Sequence, residues 1–316
     1  MNKILILGCS GFIGKNIALS LLNNGQNKIT GTYHTRIPNE LKKKIRLVKC
    51  DLRNPIEVNK ITKNIDILIH CAVVTTGAKD VITRPYIHVT DNVIMNSVVT
   101  RAAFDNSVKH VIMFSCTVMY KSSSKPLKEK DFNPSNEMYP NYFGGGWMKV
   151  FTEKMSEFYS RLGRNKYTVI RHSNIYGPYD KFDPNKSHVC SGTIIKVLKN
   201  KSGTVEIWGD GKEKRDLLYV DDLVNFVKKV VYKPKKSFCI YNVGLGKAIS
   251  INELTKKVIK LSKKNLKITN NLNKKSLKNN VALNCELAKK DYGWKPKINL
   301  NMGIKKTLNW YLENIN

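Results

Sequence analysis

Acidic residues are scarce in this sequence: its 316 residues include 24 Asp and Glu against 55 Lys and Arg, a formal net charge of +31. An excess of this size is typical of proteins that bind nucleic acid, but such proteins concentrate arginine and aromatic residues on one element. Here lysine and asparagine are spread along the whole chain, as at residues 42–44, 270–271 and 279–280. The excess therefore reflects general composition, and the sequence predicts no nucleic-acid partner.

The seven cysteines form neither a CxxC motif nor a metal-ligand spacing. They are odd in number and lie mostly inside apolar runs, which is typical of reduced, buried thiols in the cytoplasm. No apolar run approaches the roughly 20 residues that span a bilayer. The N-terminal run ends at Gly8, which indicates a strand and no signal peptide. We expect a cytoplasmic protein with no metal centre and no membrane partner.

Short β-rich runs alternate with helical segments over the first half of the chain. The runs are rich in Ile, Leu and Val on both faces, as in a parallel sheet covered by helices. We predict strands at residues 4–7, 28–33, 46–50, 65–71, 110–115 and 166–171, and helices at residues 11–23, 91–106 and 148–162. This alternation predicts an α/β, Rossmann-type, doubly wound parallel sheet.

The pattern becomes more interrupted after residue 177. We predict helices at residues 194–200, 222–231, 251–263 and 302–314, strands at 204–208 and 216–220, and a solvated loop or short strand within 263–278. We therefore expect a Rossmann domain over residues 1–177. Residues 178–316 are expected to form mainly a smaller C-terminal α/β substrate-binding cap, with some segments returning to the main sheet. Such a cap would cover the carboxyl edge of the sheet, where these folds bind ligands.

Three glycines follow the first predicted strand and open the first helix. Gly8 permits a tight turn, Gly11 lets the backbone approach a pyrophosphate, and Gly14 lets the helix pack on the strand. The helix N-terminus supplies amide donors to the anion. The sequence therefore predicts a dinucleotide site, with a glycine-rich turn that binds nothing as the alternative. Its residues are Gly8, Ser10, Gly11, Phe12, Ile13 and Gly14.

No carboxylate ends the second predicted strand, where an acid would bind the ribose 2′-hydroxyl of NAD and repel the 2′-phosphate of NADP. The segment at residues 32–36 ends in Arg36, which favours NADP because a guanidinium pairs with phosphate. The choice between NAD and NADP stays open. Asp51 and Leu52 are expected to face the adenine, and Cys71 and Ala72 to lie against the cofactor.

Together with motifs further along the chain, this site resembles the extended short-chain dehydrogenase/reductase family of NAD(P)-dependent nucleotide-sugar epimerases, dehydratases and reductases. The motifs lie at residues 8–14, 51–52, 70–72, 115–120, 149–153, 174–178, 215, 219–222 and 292–296. Within the family, residues 174–182, 187–189 and 208–216 are most similar to the GDP-fucose synthase-like GDP-sugar enzymes. The resemblance implies a GDP-linked sugar substrate, a role in polysaccharide biosynthesis, and a homodimer or homotetramer formed through helices 91–106 and 148–162.

The catalytic residues that the resemblance implies are only partly present. In the family a tyrosine four residues before a lysine exchanges the proton of the sugar hydroxyl. Lys149 matches that lysine, also as a cofactor-binding residue, but Gly145 occupies the tyrosine position. The family's active-site Ser or Thr corresponds to Cys116, and the adjacent Thr117 could supply a hydroxyl. The epimerising cysteine of the GDP-fucose synthase-like enzymes corresponds to Val118, which disfavours C3/C5 epimerisation.

Three replacements for the missing phenol stay open. Tyr142 could fold back towards the nicotinamide, because the three glycines that follow it make a regular helix unlikely there. His188 matches the acid/base histidine of the GDP-fucose synthase-like enzymes and titrates in a useful range. Lys149 could act through a water molecule.

Substrate anchoring is expected from Asn174, His188, Lys196, Trp208 and Arg215. Arg215 is the strongest of these, since a guanidinium matches a phosphate in bidentate fashion and the resemblance places it there. We expect an NAD(P)-dependent oxidoreductase that transfers hydride at C4 of a GDP-hexose or GDP-heptose. The alternatives are a GDP-fucose synthase-like epimerase/reductase and a catalytically degenerate cofactor-binding protein.

Overall fold

A central sheet of parallel strands organises the computed structural model, which describes residues 1–22, 25, 27–75, 78–184 and 186–315. The strands of this described part are β1 (Asn2–Leu7), β2 (Asn27–Tyr33), β3 (Arg46–Lys49), β4 (Ile67–His70), β5 (His110–Ser115), β6 (Lys166–His172), β7 (Asn174–Tyr176), β8 (Thr204–Trp208), β9 (Lys214–Tyr219), β10 (Phe238–Val243), β11 (Ala248–Ser250) and β12 (Lys267–Asn271). Seven of them form the central sheet in the order β10-β6-β5-β4-β1-β2-β3. The strand order reverses between β1 and β4, the crevice in which doubly wound folds bind ligands.

Helices cover both faces of this sheet, and others pack with the C-terminal strands in a separate core. They are α1 (Phe12–Leu22), α2 (Pro55–Thr62), α3 (Ala78–Thr83), α4 (Thr90–Asp105), α5 (Phe143–Arg161), α6 (Val189–Leu198), α7 (Val220–Tyr232), α8 (Ile251–Leu261), α9 (Glu286–Tyr292) and α10 (Leu300–Asn314). Asn23, the predicted end of the first helix, lies outside the described residues. No helix in the described ranges is long and apolar enough to cross a membrane.

Alternate side chains of β1 enter two separate cores. Ile4 packs in one core with Ile17 of α1 and Phe226 of α7, whereas Leu5 packs in the other with Val99 of α4. All five are completely buried, and each contributes about 1.5–3 kcal/mol by leaving water. Burial on both faces explains why the strand sequences are uniformly apolar, and the predicted α/β class with a doubly wound parallel sheet is confirmed.

Smaller sheets lie at the carboxyl edge of the central one. One has the order β11-β9-β7, and the other is the parallel pair β12-β8, which places a short strand within residues 263–278. The sequence missed β10, which pairs with β6 in the central sheet. It also missed α2, whose start is capped by the Asn54 side chain with Pro55 in the first turn.

The three consecutive glycines do not interrupt helix α5. The helix begins at Phe143, before the glycines, and Tyr142 is its N-cap. The expectation of an irregular segment at this point is wrong. Gly146 is buried against the Met138 side chain, so tertiary packing holds the glycine segment in helical form.

Candidate active site

A single cleft of about 1350 Å³ runs along the carboxyl edge of the central sheet. Gly8 lies at one end, Lys149 lines its middle, and Trp208 lies at the end formed by the smaller sheets. Residues predicted separately for the cofactor, the reaction and the substrate therefore border one continuous space.

The glycine loop makes a close-packed cradle at the first end. Gly8 has φ +78°, and a Cβ there would lie 2.7 Å from the Ala72 Cα. Gly14 faces the Gly8 carbonyl oxygen too closely for any side chain, as the predicted packing of helix on strand requires. The remaining loop residues line the cleft at the N-terminus of α1: they are Ser10, Gly11, Phe12 and Ile13. This cradle fits a pyrophosphate bound by backbone amides.

Asp51 and Arg53 border the cleft beside this loop. The Arg53 guanidinium contacts the Asp51 carboxylate at 2.8 Å and that of Asp91 at 3.2 Å. Its hydrogen bonds hold the pKa of Asp51 at about 2. Arg36 is exposed and lies apart from the described cleft lining, whereas His34 belongs to that lining. The sequence missed Arg53, although its position two residues after Asp51 was a usable signal.

Leu52, Cys71 and Ala72 also line the cofactor end. Leu52 is buried and packs in the same core as Leu5. Cys71 follows β4 and donates its backbone N–H to the Leu7 carbonyl. Because β4 runs parallel to β1, Cys71 and Ala72 at its end lie next to the glycine loop. Leu52 lines the same end of the cleft.

Lys149 projects from α5 to the end of β5. Its Nζ donates a hydrogen bond to the Phe114 carbonyl oxygen across 2.9 Å. Cys116 and Thr117 line the cleft next to it; burial raises the pKa of the Cys116 thiol, and the Lys149 charge opposes that rise. Gly145 also lines the cleft, and a Cβ there would meet no described atom within 4 Å. The position of the missing phenol is thus open space.

Ser115 does not face this space. Its buried hydroxyl donates to Glu153 Oε1 at 2.7 Å, and the same carboxylate accepts from Arg171 Nε at 2.8 Å and Nη2 at 2.6 Å. Only 4% of each charged side chain is exposed. This pair ties α5 to β6 and so fixes the helix that carries Lys149.

Tyr142 lines the cleft from the start of α5. Burial raises the pKa of its phenol; the Arg215 charge opposes this, and Cys116 reinforces it. The phenol is therefore protonated at neutral pH, and it lies within electrostatic reach of Cys116 and Arg215.

Three histidines line the cleft, namely His88, His172 and His188. Burial lowers the pKa of His188 to about 4, and the charges of Lys181 and His88 lower it further. Burial also lowers the pKa of His172 to about 4, with Lys149 and His188 adding to the effect. The sequence had placed only His188 here. His172 directly precedes the Ser173–Asn174 segment, and its position at a strand end was the signal.

Two lysines lie within 6 Å of the Trp208 ring centroid at the far end. Lys196 Nζ is 5.6 Å and Lys274 Nζ 5.5 Å from its ring centroid. Lys196 also donates to the Glu206 carbonyl at 3.1 Å. Because β8 and β12 pair in parallel, residues far apart in the chain meet at this ring. Lys274 was missed, since nothing in the lysine-rich 263–278 segment distinguishes it.

Arg215 lines the same end of the cleft and hydrogen-bonds the backbone of residues 277–279. Its Nη1 donates to the Asn279 carbonyl at 2.5 Å, and its Nη2 to the Leu277 carbonyl at 2.6 Å. Asn174 lines the cleft and donates to the Asp216 carbonyl at 3.2 Å. Four of the five predicted substrate residues thus have defined hydrogen-bond or ring partners, namely Asn174, Lys196, Trp208 and Arg215.

Residues 4–244 match the model of the NAD dependent epimerase/dehydratase family. The chain belongs to this family. Membership confirms the expected dependence on a nicotinamide dinucleotide and the identification of the chain as a nucleotide-sugar enzyme of the short-chain dehydrogenase/reductase type.

Relatives of known function match over nearly their full length. A GDP-L-colitose synthase of Yersinia pseudotuberculosis is 27% identical over 321 residues, covering 99% of both chains. A GDP-L-fucose synthase of Azorhizobium caulinodans is 28% identical over 325 residues, covering 98% of this chain and 96% of the relative. Among solved structures, a Thermotoga maritima UDP-glucose 4-epimerase with UDP-glucose has a TM-score of 0.87 at 24% identity, covering 99% and 100% of the two chains. This last likeness shows the fold.

Proposed function

We propose that the protein is an NAD(P)-dependent oxidoreductase that transfers hydride at C4 of a GDP-linked hexose or heptose in polysaccharide biosynthesis. The observation that carries the proposal is the single cleft, which joins the glycine loop to Trp208 with Lys149 between them. Similarity to two GDP-sugar synthases over nearly the whole chain favours a GDP-linked sugar.

The cofactor end would hold the dinucleotide through the cradle described above. The amides at the start of α1 face the pyrophosphate, and Ala72 packs against Gly8 so closely that it fixes the loop. The nicotinamide, when bound, supplies or accepts the hydride. Lys149, held at the end of β5 by the Phe114 carbonyl, presents a positive charge to the reacting hydroxyl or ketone.

The far end would hold the GDP moiety. The Trp208 ring offers a stacking surface for the base, and Lys196 and Lys274 beside it supply charge for the diphosphate. Arg215 adds a third cation at the cleft wall. Lys274 also pairs with the Glu206 carboxylate at 2.7 Å, so a diphosphate bound here would share that cation with Glu206.

Tyr142, His188 and Lys149 remain the candidates for the proton step. A half-buried, protonated phenol at Tyr142 suits donation to a ketone in the reductive direction. Val118 in the cleft lining supplies no proton, which disfavours the alternative of a GDP-fucose synthase-like epimerase/reductase. A catalytically degenerate binding protein is the remaining alternative, and Gly145 and Cys116 support it.

We also propose that the protein is a homodimer. Helix α5 carries large apolar side chains at helical spacing on its exposed face: Phe143, Trp147, Phe151, Phe158 and Leu162 are 37–59% exposed. A second copy that packs this face against its own would remove the row from water. Sedimentation of the purified protein tests this, and a monomer at micromolar concentration contradicts it.

The activity test uses a panel of GDP-hexoses and GDP-heptoses that begins with GDP-mannose. Hydride transfer is followed by the absorbance of reduced nicotinamide and by deuterium transfer from sugars labelled at C4. Transfer with a GDP-sugar supports the proposal. Dinucleotide binding without transfer to any sugar of the panel favours the degenerate protein. Mass spectrometry of the dinucleotide that co-purifies distinguishes NAD from NADP.

A further inference from the structure

His172 ends β6 and lines the middle of the cleft. Its Nδ1 lies 2.7 Å from the Ser173 carbonyl oxygen. A carbonyl oxygen only accepts hydrogen bonds, so Nδ1 carries the hydrogen. The other ring nitrogen of a neutral imidazole is then an acceptor. The backbone thus selects the tautomer in which Nε2 is the basic atom.

The surroundings of His172 keep this tautomer uncharged. Burial is the largest cause that lowers its pKa, and the hydrogen bond to the Ser173 carbonyl opposes it. The charged or titratable groups that act on it are Lys149 from α5 and His188 at the N-cap of α6, and both lower the pKa further. The Phe114 ring of β5 packs against it with centroids 6.0 Å apart. With a pKa of about 4, the imidazole keeps a free Nε2 lone pair throughout the neutral range.

His172 and Lys149 are linked through one residue. The Phe114 carbonyl fixes the Lys149 ammonium at 2.9 Å, while the Phe114 ring packs on His172. Gly145, the empty phenol position, lies one turn of α5 from Lys149 and opens into the same cleft. An uncharged proton acceptor therefore lines the same cleft as the empty phenol position.

We propose, on the basis of the proposed function, that His172 Nε2 exchanges the proton of the reacting sugar hydroxyl in place of the missing phenol. In the oxidative direction the O–H bond breaks and its proton goes to Nε2. The C4–H bond breaks with its electron pair transferred to the oxidised dinucleotide, so the carbinol becomes a ketone. The imidazolium then releases its proton to water, which the neighbouring Lys149 charge favours. Reduction runs these steps in reverse.

The kinetic test compares His172→Gln and His172→Ala with the wild type, using the panel sugar with the highest rate. General-base catalysis contributes about 10²–10⁴-fold, so kcat should fall by that factor while the KM for the sugar changes less than about threefold. Added imidazole should restore part of the kcat of His172→Ala, which a purely structural role would not allow. Lys229→Met, at an exposed position of α7 and apart from the described cleft lining, is the control with unchanged kcat.

Unchanged kcat in both His172 variants overturns the inference. The inference is also overturned if added imidazole does not restore the kcat of His172→Ala and Tyr142→Phe abolishes hydride transfer. Failure of the wild type on every panel sugar contradicts the proposed function instead. If no panel sugar reacts, the tautomer of His172 can still be measured by ¹⁵N NMR. The spectrum should show the ring hydrogen of His172 on Nδ1 at neutral pH. Hydrogen on Nε2 overturns the inference independently of activity.

Discussion

Lys149 Nζ donates to the Phe114 carbonyl oxygen across 2.9 Å, which fixes a positive charge at the end of β5. The hydrogen bond uses one of three N–H donors and leaves the others for ligands. The same charge acts on Cys116 and His172, whose pKa values it lowers. One backbone carbonyl therefore positions the cation on which the electrostatics of the candidate active site depend.

Replacing Lys149 by methionine should raise the pKa of His172 from about 4. The reason is that Lys149 disfavours the imidazolium, whereas burial, the larger cause, stays in place. ¹⁵N NMR titration of His172 measures the change. Lys154→Met, which removes an exposed lysine paired with Glu157, is the control and should leave the pKa unchanged. A His172 pKa equal in the wild type and Lys149→Met would contradict the described geometry.

Gly145→Ala should stabilise the protein by about 0.4–1 kcal/mol, because alanine has less freedom in the unfolded chain. A Cβ at Gly145 meets no described atom within 4 Å. Gly146→Ala is the matched comparison in the same turn of α5. Its Cβ would lie 2.5 Å from the Met138 Sδ, so that side chain must shift. In urea denaturation, the free energy of unfolding of Gly145→Ala should exceed that of the wild type and that of Gly146→Ala. A lower free energy of unfolding for Gly145→Ala than for Gly146→Ala would contradict the prediction.

Arg171→Met should destabilise the protein by about 3–5 kcal/mol, since Glu153 would be left as an uncompensated buried charge. Both side chains are only 4% exposed. Arg101→Met is the control, because Arg101 pairs with Asp105 on the surface and should change the denaturation midpoint little. Equal midpoints for the two variants would show that the Glu153 pair is unimportant.

Stability should fall with rising pH because of Asp180. Its side chain is buried at the cleft, and burial raises its pKa from 3.8 to about 7. The folded state thus holds the Asp180 proton more tightly than the unfolded state does. The resulting contribution to the free energy of unfolding is complete below about pH 4 and is lost as the pH rises towards 7. The slope is at most about 1.4 kcal/mol per pH unit. Urea midpoints between pH 4 and 8 should show a flatter dependence for Asp180→Asn, whereas Asp105→Asn, at an exposed site, should behave as the wild type.

Lys274→Ala should weaken GDP binding about fivefold, which corresponds to about 1 kcal/mol. Lys274 lies over the Trp208 ring in the cleft. Lys235 has a similar position over Tyr292, 6.0 Å from its centroid and apart from the described cleft lining, so Lys235→Ala is the matched control. Calorimetric titration with GDP measures both variants. Equal affinities would place the nucleotide away from Trp208.

Local features explain what could be predicted. The glycine loop follows its strand directly, and the apolar strands of a parallel sheet are recognisable from a few residues each, so the fold class and the cofactor end were readable. The strand at Phe238–Val243 was missed because its position in the sheet depends on pairing with β6, more than 60 residues earlier. The glycine segment of α5 was misjudged because helix propensity was given more weight than packing against Met138.

The sequence by itself determined the parallel sheet, the glycine cradle and the absence of a phenol four residues before Lys149, because each depends on residue type at short spacing. Only the tertiary structure decided that the Ser115 hydroxyl turns to Glu153, that Lys274 lies on Trp208, and that His172 borders the cleft near Lys149. These relationships join residues that are distant in the chain. They arise from strand pairing and burial, which no local pattern encodes.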